Sequence, residues 1–278
     1  MSVIFNFDNG GFNGSRSVDM HPSNDGYNMH AHERIEIYCF VSGYCRYLVE
    51  GNEYSLKPYD IMIMRPSETH RLKVMGDVPY ERFAFHITPD YFKGVDPDGE
   101  LLKPFFDRPL GKMNKFSLED FDTDLYKNCL DSINFNNDLS NRLEIELKLL
   151  TVLTEISKAY YHRLAHFGNQ ENDEARDTSV KIIEYINQNI FEPLSLSVIC
   201  DKFFISQSQL NRIFKKATGS SVWEYISIKR LLSARNFIRA GEPAGQVCIK
   251  CGFKDYSSFY RMYKSRFGVS PKQDDVKK

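Results

Sequence analysis

The first 88 residues alternate between apolar and polar positions, and turn residues separate short β-branched runs. Gly43 and Pro58 interrupt the runs, and the sequence Glu50-Gly51-Asn52-Glu53 predicts a hairpin turn. Many short strands at this spacing predict a small β-barrel or jelly roll. The predicted strands are residues 35–41, 44–49, 54–56, 61–64, 72–74 and 82–87.

Helical periodicity replaces this alternation further along the chain. Ser117, with Asp120 three residues later, predicts a capped helix start. A long helix over about 140–165 has two apolar faces, which predicts packing on the barrel by one face and a homodimer contact by the other. Burial of both faces inside one domain is the alternative. The first face carries Leu143, Leu147, Leu150, Leu153, Ile156 and Tyr160, and the second Ile145, Leu149 and Val152.

The segment 168–178 reads GNQENDEARDT, and its polar, aperiodic composition predicts a linker. The helical pattern that follows differs from the β-rich start, so the chain is predicted to have two domains and an α+β fold class. The first domain is residues 1–167, with the barrel at about 1–88 and helices at about 89–167. The second domain is the all-α part, residues 179–278.

A twelve-residue segment occurs twice in the second domain, at 210–221 and at 259–270, with a constant offset of 49. Each copy predicts an amphipathic helix with basic residues on its polar side and a glycine stop. Each copy also ends a predicted helix-turn-helix unit, at 195–217 and at 244–267. The matched pairs are Arg212 with Arg261, Lys215 with Lys264, Gly219 with Gly268 and Ser221 with Ser270.

The net charge of −1 conceals an uneven distribution of charge along the chain. Residues 178–278 contain 17 Lys and Arg against 8 Asp and Glu, a net charge of +9, and the remainder is at −10. A basic second domain favours a polyanionic partner such as double-stranded DNA. No apolar run reaches the ~20 residues that a membrane span needs, the N-terminus does not resemble a signal peptide, and the cysteines fit a cytoplasmic protein.

The stretch from about 180 to 272 resembles the AraC/XylS family of bacterial transcription regulators. One shared motif is Phe214-Lys215-Lys216 followed by Gly219, and another is Gly-Phe-x-Asp-x-Ser-x-Phe beginning at Gly252. The linker-helix motif comprises Tyr225, Ile226, Arg230, Leu231 and Ala234. The resemblance implies two helices that enter successive major grooves, about 34 Å or 10 bp apart, on one face of the duplex.

The resemblance also assigns roles to side chains of the two copies. Asn and Arg are chemically suited to reading adenine and guanine. Phosphate contacts are expected from Lys215, Lys216 and Lys264. Base contacts are expected from Ser208, Asn211 and Arg212 in the first helix, and from Ser257, Ser258, Tyr260 and Arg261 in the second.

The β domain contains the pattern His30-x-His32-x-x-x-Glu36, followed by His70, which resembles the metal motif of cupins. AraC-type regulators share this N-terminal pattern and use the barrel as an effector pocket, often for a sugar. Three interpretations stay open for these four residues: they would hydrogen-bond an effector, hold a divalent metal, or be purely structural. Stacking against a sugar ring is expected from Tyr27, Tyr38, Tyr44 and Tyr47, and His21 and His86 are further candidates.

These observations predict a DNA-binding transcription regulator that responds to a small molecule and is not an enzyme. Its expected partners are double-stranded DNA, the effector, a second copy of the chain and RNA polymerase, without a cofactor. The alternative is a metal-dependent cupin enzyme, or a metal sensor, joined to the DNA-binding domain.

Overall fold

The computed structural model describes residues 2–8, 11–131, 139–167 and 178–275. Contacts divide the chain into two compact units. The first unit comprises residues 1–28 and 34–175, and the second comprises Met29–Glu33 and 176–278. The predicted linker falls outside the described residues, except for Thr178. Within the described residues, no helix combines the length and apolarity needed to cross a bilayer.

The first unit is built on two antiparallel sheets. One sheet has the strand order β1-β2-β8-β3-β6-β9 and the other β5-β4-β7. The predicted hairpin turn is present, with Glu50 and Gly51 both at positive φ between β4 and β5. The strands are β1 Ser2–Asp8, β2 Phe12–Asp19, β3 Ile35–Ser42, β4 Cys45–Val49, β5 Asn52–Ser55, β6 Ile61–Met64, β7 His70–Val74, β8 Tyr80–Ile87 and β9 Lys115–Phe116.

Strand alternation gives the large sheet two different faces. Ile35, Ile37 and Cys39 of β3 point to one face, where they join a core with the helices of this unit. Tyr38 and Phe40 point to the other face, and they pack against residues of the small sheet. The first unit therefore has one core under its helices and a second core between its sheets.

Three helices cover the outer face of the large sheet: α1 Lys103–Phe106, α2 Thr123–Asp131 and α3 Leu139–Phe167. Ser117 and Asp120 form the expected capping box, but it begins only a short 3-10 turn, Leu118–Asp120. The helix α3 buries the face of Ile145, Leu149 and Val152.

The other apolar face of α3 is only partly exposed, whereas the prediction gave the whole of one face to a homodimer contact. Leu153, Ile156 and Tyr160 are buried with the core. Leu143 and Leu147 are exposed, and the Leu147 side chain retains 65% of its accessible surface. Of the face that comprises Leu143, Leu147, Leu150, Leu153, Ile156 and Tyr160, only the N-terminal half therefore carries exposed leucines.

A buried ion pair stabilises the loops of the first unit. Arg108 donates through both terminal nitrogens to the Glu68 carboxylate, and both side chains are fully buried. Glu68 also accepts hydrogen bonds from the backbone N–H of Gly111 and from Asn114. These contacts hold the pKa of Glu68 below its usual range, although burial alone would raise it.

The second unit is helical, as predicted. Its two cores share the long helix α7, because residues 222–232 pack with α4–α6 and residues 231–238 pack with α8 and α9. The helices are α4 Thr178–Gln188, α5 Leu196–Phe203, α6 Gln207–Thr218, α7 Val222–Arg239, α8 Ala244–Lys250 and α9 Tyr256–Phe267.

Buried Arg230 of α7 links the two halves of this unit. Its guanidinium donates to the carbonyl oxygens of Ile190 at 2.7 Å, Glu192 at 2.8 Å and Gly252 at 2.6 Å. Ile190 and Glu192 lie between α4 and α5, whereas Gly252 lies between α8 and α9. One side chain therefore fastens both flanking segments to α7.

Candidate functional site

The helices α6 and α9, called the reading helices below, are each fixed by a cap and a stop. Ser206 accepts from the backbone N–H of Gln209 and Asp255 from that of Ser258, so both starts are capped. Gly219 and Gly268 end the helices at positive φ, a conformation that glycine adopts without steric cost. The repeated segment therefore specifies two helices of similar length, each of 12 residues.

Each reading helix buries one stripe and exposes the other. Leu210, Phe214 and Thr218 face the core from α6, and Phe259 and Tyr263 do so from α9. All of the predicted base-reading and phosphate residues lie on the opposite surfaces. Ser208, Asn211, Arg212, Lys215, Lys216, Ser257, Tyr260, Arg261 and Lys264 are exposed, and Ser258 is half-buried.

The cations of the reading helices differ from those of α7 in their partners. In α7, Arg235 and Arg239 both form ion pairs with Asp274, at 2.6 and 3.0 Å. Among the described residues, Arg212, Lys215 and Lys264 have no acidic partner within ion-pair distance. Unpaired Lys and Arg on exposed helix faces are the groups that hold phosphates and read base edges.

A second cluster of polar residues lies between the two sheets of the first unit. Glu36 of β3 is buried, and its Oε2 atom is 3.0 Å from Nε2 of His70 in β7. His86 stands directly opposite Glu36 in the β3–β8 register, with its Nε2 3.7 Å from the same oxygen. The cluster therefore joins both sheets through one carboxylate.

The Nδ1 atoms of His70 and His86 each lie beside a protein oxygen, which fixes the orientation of both rings. The Nδ1 atom of His70 is 2.8 Å from the Glu68 carbonyl oxygen, and that of His86 is 3.1 Å from Oδ1 of Asn13. Burial disfavours the imidazolium of His70, but Glu36 and the Glu68 carbonyl outweigh burial and raise its pKa. Both Nε2 atoms lie near the Glu36 carboxylate, at 3.0 Å for His70 and 3.7 Å for His86.

Aromatic side chains extend this cluster along the inner faces of the sheets. The Tyr47 ring stacks on His70 at 5.9 Å, and Tyr38 lies 4.7 Å from Tyr47. Burial raises the pKa of Tyr38 and of Tyr47 well above the usual range, so both stay neutral donors. Of the four tyrosines predicted to stack on a ligand, Tyr44 is 69% exposed, which excludes it from this interior.

The structure divides the four residues of the predicted effector site between the two units. Glu36 and His70 belong to the first unit, whereas His30 and His32 belong to the segment Met29–Glu33 of the second. A site shared by all four residues stays a prediction. The strand alternation of β8 is a further sequence signal for this cluster, because it places Arg82 and His86 on the same inner face as Tyr80.

Residues 14–152, half of the chain, match the family model of an AraC-like ligand binding domain. Residues 199–274 match that of a helix-turn-helix domain. The chain belongs to the AraC family. It is a transcription regulator with a DNA-binding helical unit and a ligand-binding β unit, as the sequence predicts.

Individual relatives agree with this assignment. The chain is 22% identical over 248 residues to the HTH-type transcriptional activator RhaS of Escherichia fergusonii, which covers 88% of this chain and 86% of the relative. It is 31% identical over 91 residues to the multiple antibiotic resistance protein MarA of Escherichia coli K12, covering 32% and 72%. A solved structure of ToxT from Vibrio cholerae is similar over 95% of this chain and 97% of that one, with 13% identity and a TM-score of 0.37.

The two classes of cation contact predict different effects on DNA binding. Arg212→Ala should relax the preference for one base pair, at a cost of about 1–3 kcal/mol at the preferred site. Lys215→Ala should weaken binding to all sequences alike and lower the slope of log K against log salt by about one. Competition binding against single-base variants of a selected site, over a salt series, measures both.

Lys272→Ala is the matched control, because Lys272 is an exposed lysine outside both reading helices. It should change neither quantity. Unchanged base preference in both Arg212→Ala and Arg261→Ala would overturn the assignment of the reading residues.

Proposed function

We propose that this AraC-family regulator reads one DNA site with both helices, α6 and α9, inserted in successive major grooves. The proposal is carried by the unpaired cations on the exposed faces of these helices. In α7, Arg235 and Arg239 form ion pairs with Asp274 and Glu33, whereas Arg212, Lys215 and Lys264 have no acidic partner among the described residues. The unit acts in the bacterial cytoplasm, where its DNA target lies.

The two halves of the DNA site are unequal in this proposal. The first reading helix offers Asn211 beside Arg212, which suits adenine and guanine. The second offers Tyr260 beside Arg261, and the Arg261 guanidinium is 3.4 Å from the Ser258 hydroxyl. Since the side chains differ at matched positions, the preferred sequence is asymmetric rather than a repeat of one half.

The effector binds between the two sheets of the first unit, in this proposal, close to Glu36 and His70. Charged side chains are rarely buried without a role, and here a carboxylate, two imidazoles and neutral tyrosines meet in one interior. Aromatic faces beside hydrogen-bonding groups suit a sugar or another small polyhydroxylated molecule. His30 and His32 stay candidates for further contacts.

A metal is the second candidate for this site, because two imidazoles and one carboxylate form a known ligand set for divalent ions. One observation favours it. Both imidazoles have Nδ1 beside a protein oxygen, which is how metal-binding histidines are usually oriented. Glu36 and His70 would contribute ligands to the ion, which would act as the regulatory signal.

A thermal-shift series distinguishes these two ligands. A bound effector at 100 times its Kd adds about 2.7 kcal/mol to the free energy of unfolding. Sugars, small acids and divalent metals are tested separately, and the shift from the active compound should vanish in Glu36→Gln. His21→Gln, at an exposed histidine, should retain the shift.

A shift with metals alone would favour the metal sensor over the sugar sensor. A shift that survives in Glu36→Gln would exclude this cluster as the binding site of the compound.

In this proposal the chain acts as a homodimer through the exposed leucines of α3. It activates transcription by contact with RNA polymerase, or blocks transcription by contact with the DNA site of the polymerase. Leu143 and Leu147 are one turn apart, and Leu150 one turn further is half-buried. Apolar side chains at this spacing on an exposed helix face are typical of a helix–helix contact.

Substitution on α3 tests the dimer. Leu147→Glu places charge in the contact and should raise the dimer dissociation constant at least tenfold in sedimentation equilibrium. Leu164→Glu is the control, because Leu164 is also exposed but lies 17 residues after Leu147, about 25 Å further along the helix. Equal dissociation constants in both variants would exclude this face as the dimer contact.

A further inference from the structure

The helical unit contains a cleft of about 450 Å³ whose apolar walls have no part in the roles described above. It lies between the connection from α4 to α5, one side of α7 and the second helix-turn-helix unit. Its volume is within the range of small-molecule sites. Its apolar walls comprise Phe191, Trp223, Ile226, Ile249, Phe253 and Met262.

Large apolar side chains around this cleft are left in contact with water. Ile249 is 77% exposed, Trp223 44% and Phe191 40%. Exposed apolar groups scattered over a surface need no explanation, but three that line one concavity indicate a surface suited to a bound apolar group. Burying them would contribute about 25 cal/mol per Å² of apolar area removed from water.

The cleft is preformed rather than opened by a ligand. Arg230 lies at its base, fixed by its hydrogen bonds to the three backbone carbonyls. Gly252 lies beside it at φ +76°, where a Cβ atom would come within 2.8 Å of both the Arg230 guanidinium and the Phe191 carbonyl oxygen. The backbone on both sides is therefore held at a fixed separation.

The charged residues that line the cleft carry a net positive charge, because the two cations Arg230 and Lys254 outnumber the one carboxylate, Asp255. Lys254 is exposed at the rim, and within the described part of the chain it has no ion-pair partner. The neighbouring Asp255 carboxylate is engaged by the backbone N–H of Ser258, at 2.7 Å. Lys250, the nearest basic residue in sequence, is paired with Glu242.

We propose that this cleft binds a small amphipathic anion, such as an aromatic carboxylate or sulfonate. The apolar body lies against Trp223, Ile249 and Met262, and the anionic group pairs with Lys254. Ser258 lines the same cleft and belongs to the second reading helix, so the bound anion competes with DNA. The competition rests on the proposed DNA contacts, whereas the binding itself does not.

Trp223 makes the test direct, because it is the only tryptophan of the chain and lines the cleft. The full-length protein is titrated with 8-anilinonaphthalene-1-sulfonate, and energy transfer from Trp223 to the dye is measured. We expect saturable transfer with one dye per chain. The neutral analogue N-phenyl-1-naphthylamine, which lacks the sulfonate, should bind at least fivefold more weakly.

Variants assign the binding to the cleft. Ile249→Glu, at an exposed position, should weaken dye binding at least tenfold, and Lys254→Gln should remove the difference between the dye and its neutral analogue. Phe204→Ser is the apolar control, because Phe204 is 96% exposed in the same unit but does not line the cleft. Lys272→Gln is the charge control. Unchanged dye binding in Ile249→Glu, or equal losses in the controls, would overturn the site.

Addition of the selected DNA site should displace the dye, and the dye should raise the apparent Kd for DNA. Simultaneous binding with unchanged affinities would overturn the competition. A protein that binds the dye but no DNA would contradict the proposed function while the cleft site stands.

Discussion

The arrangement of the two reading helices depends on one buried cation. Burial of the Arg230 guanidinium is unfavourable unless hydrogen bonds replace its water, and carbonyls of Ile190, Glu192 and Gly252 do so. These carbonyls belong to segments on either side of α7. The planar fork of arginine can reach all three at once, which the single ammonium of lysine cannot do. The same cation also forms the base of the apolar cleft.

The basic side chains of the helical unit differ in whether they have an acidic partner. Asp274 accepts from Arg235, Arg239 and Tyr263, and these hydrogen bonds hold its pKa below the usual range against the effect of burial. Asp274 and Glu33 thus neutralise the two arginines near the end of α7. Within the described part of the chain, Arg212, Lys215 and Lys264 of the reading helices have no such acid, so their positive charge attracts phosphate.

The sequence predicts the helical unit better than the β unit, for physical reasons. Caps and stops such as Ser206 and Gly219 act within a few residues, so local chemistry is enough to place α6 and its repeat. Strands depend on distant partners. The strands β1 and β2 were not predicted, and it is the register of β3 with β8 that brings His86 opposite Glu36.

Other details depend on tertiary packing. Tyr38 and Tyr44 look equivalent in sequence, but the strand register buries the first and exposes the second. The capping box at Ser117 has correct local chemistry and yet begins only a 3-10 turn. The cleft beside Arg230 has no sequence signal, because its walls come from four separate segments of the chain.

A spacer series in DNA tests most directly whether Arg230 makes the two reading helices one rigid reader. Affinity is measured for the full-length protein on its selected site, with one base pair inserted or deleted between the halves. Each base pair shifts the halves by about 3.4 Å and rotates them about the helix axis. If the two helices form one rigid reader, either change should lower the affinity of the wild type at least tenfold, about 1.4 kcal/mol, and lower that of Arg230→Lys by less. Equal affinity of the wild type for all three spacings would contradict it.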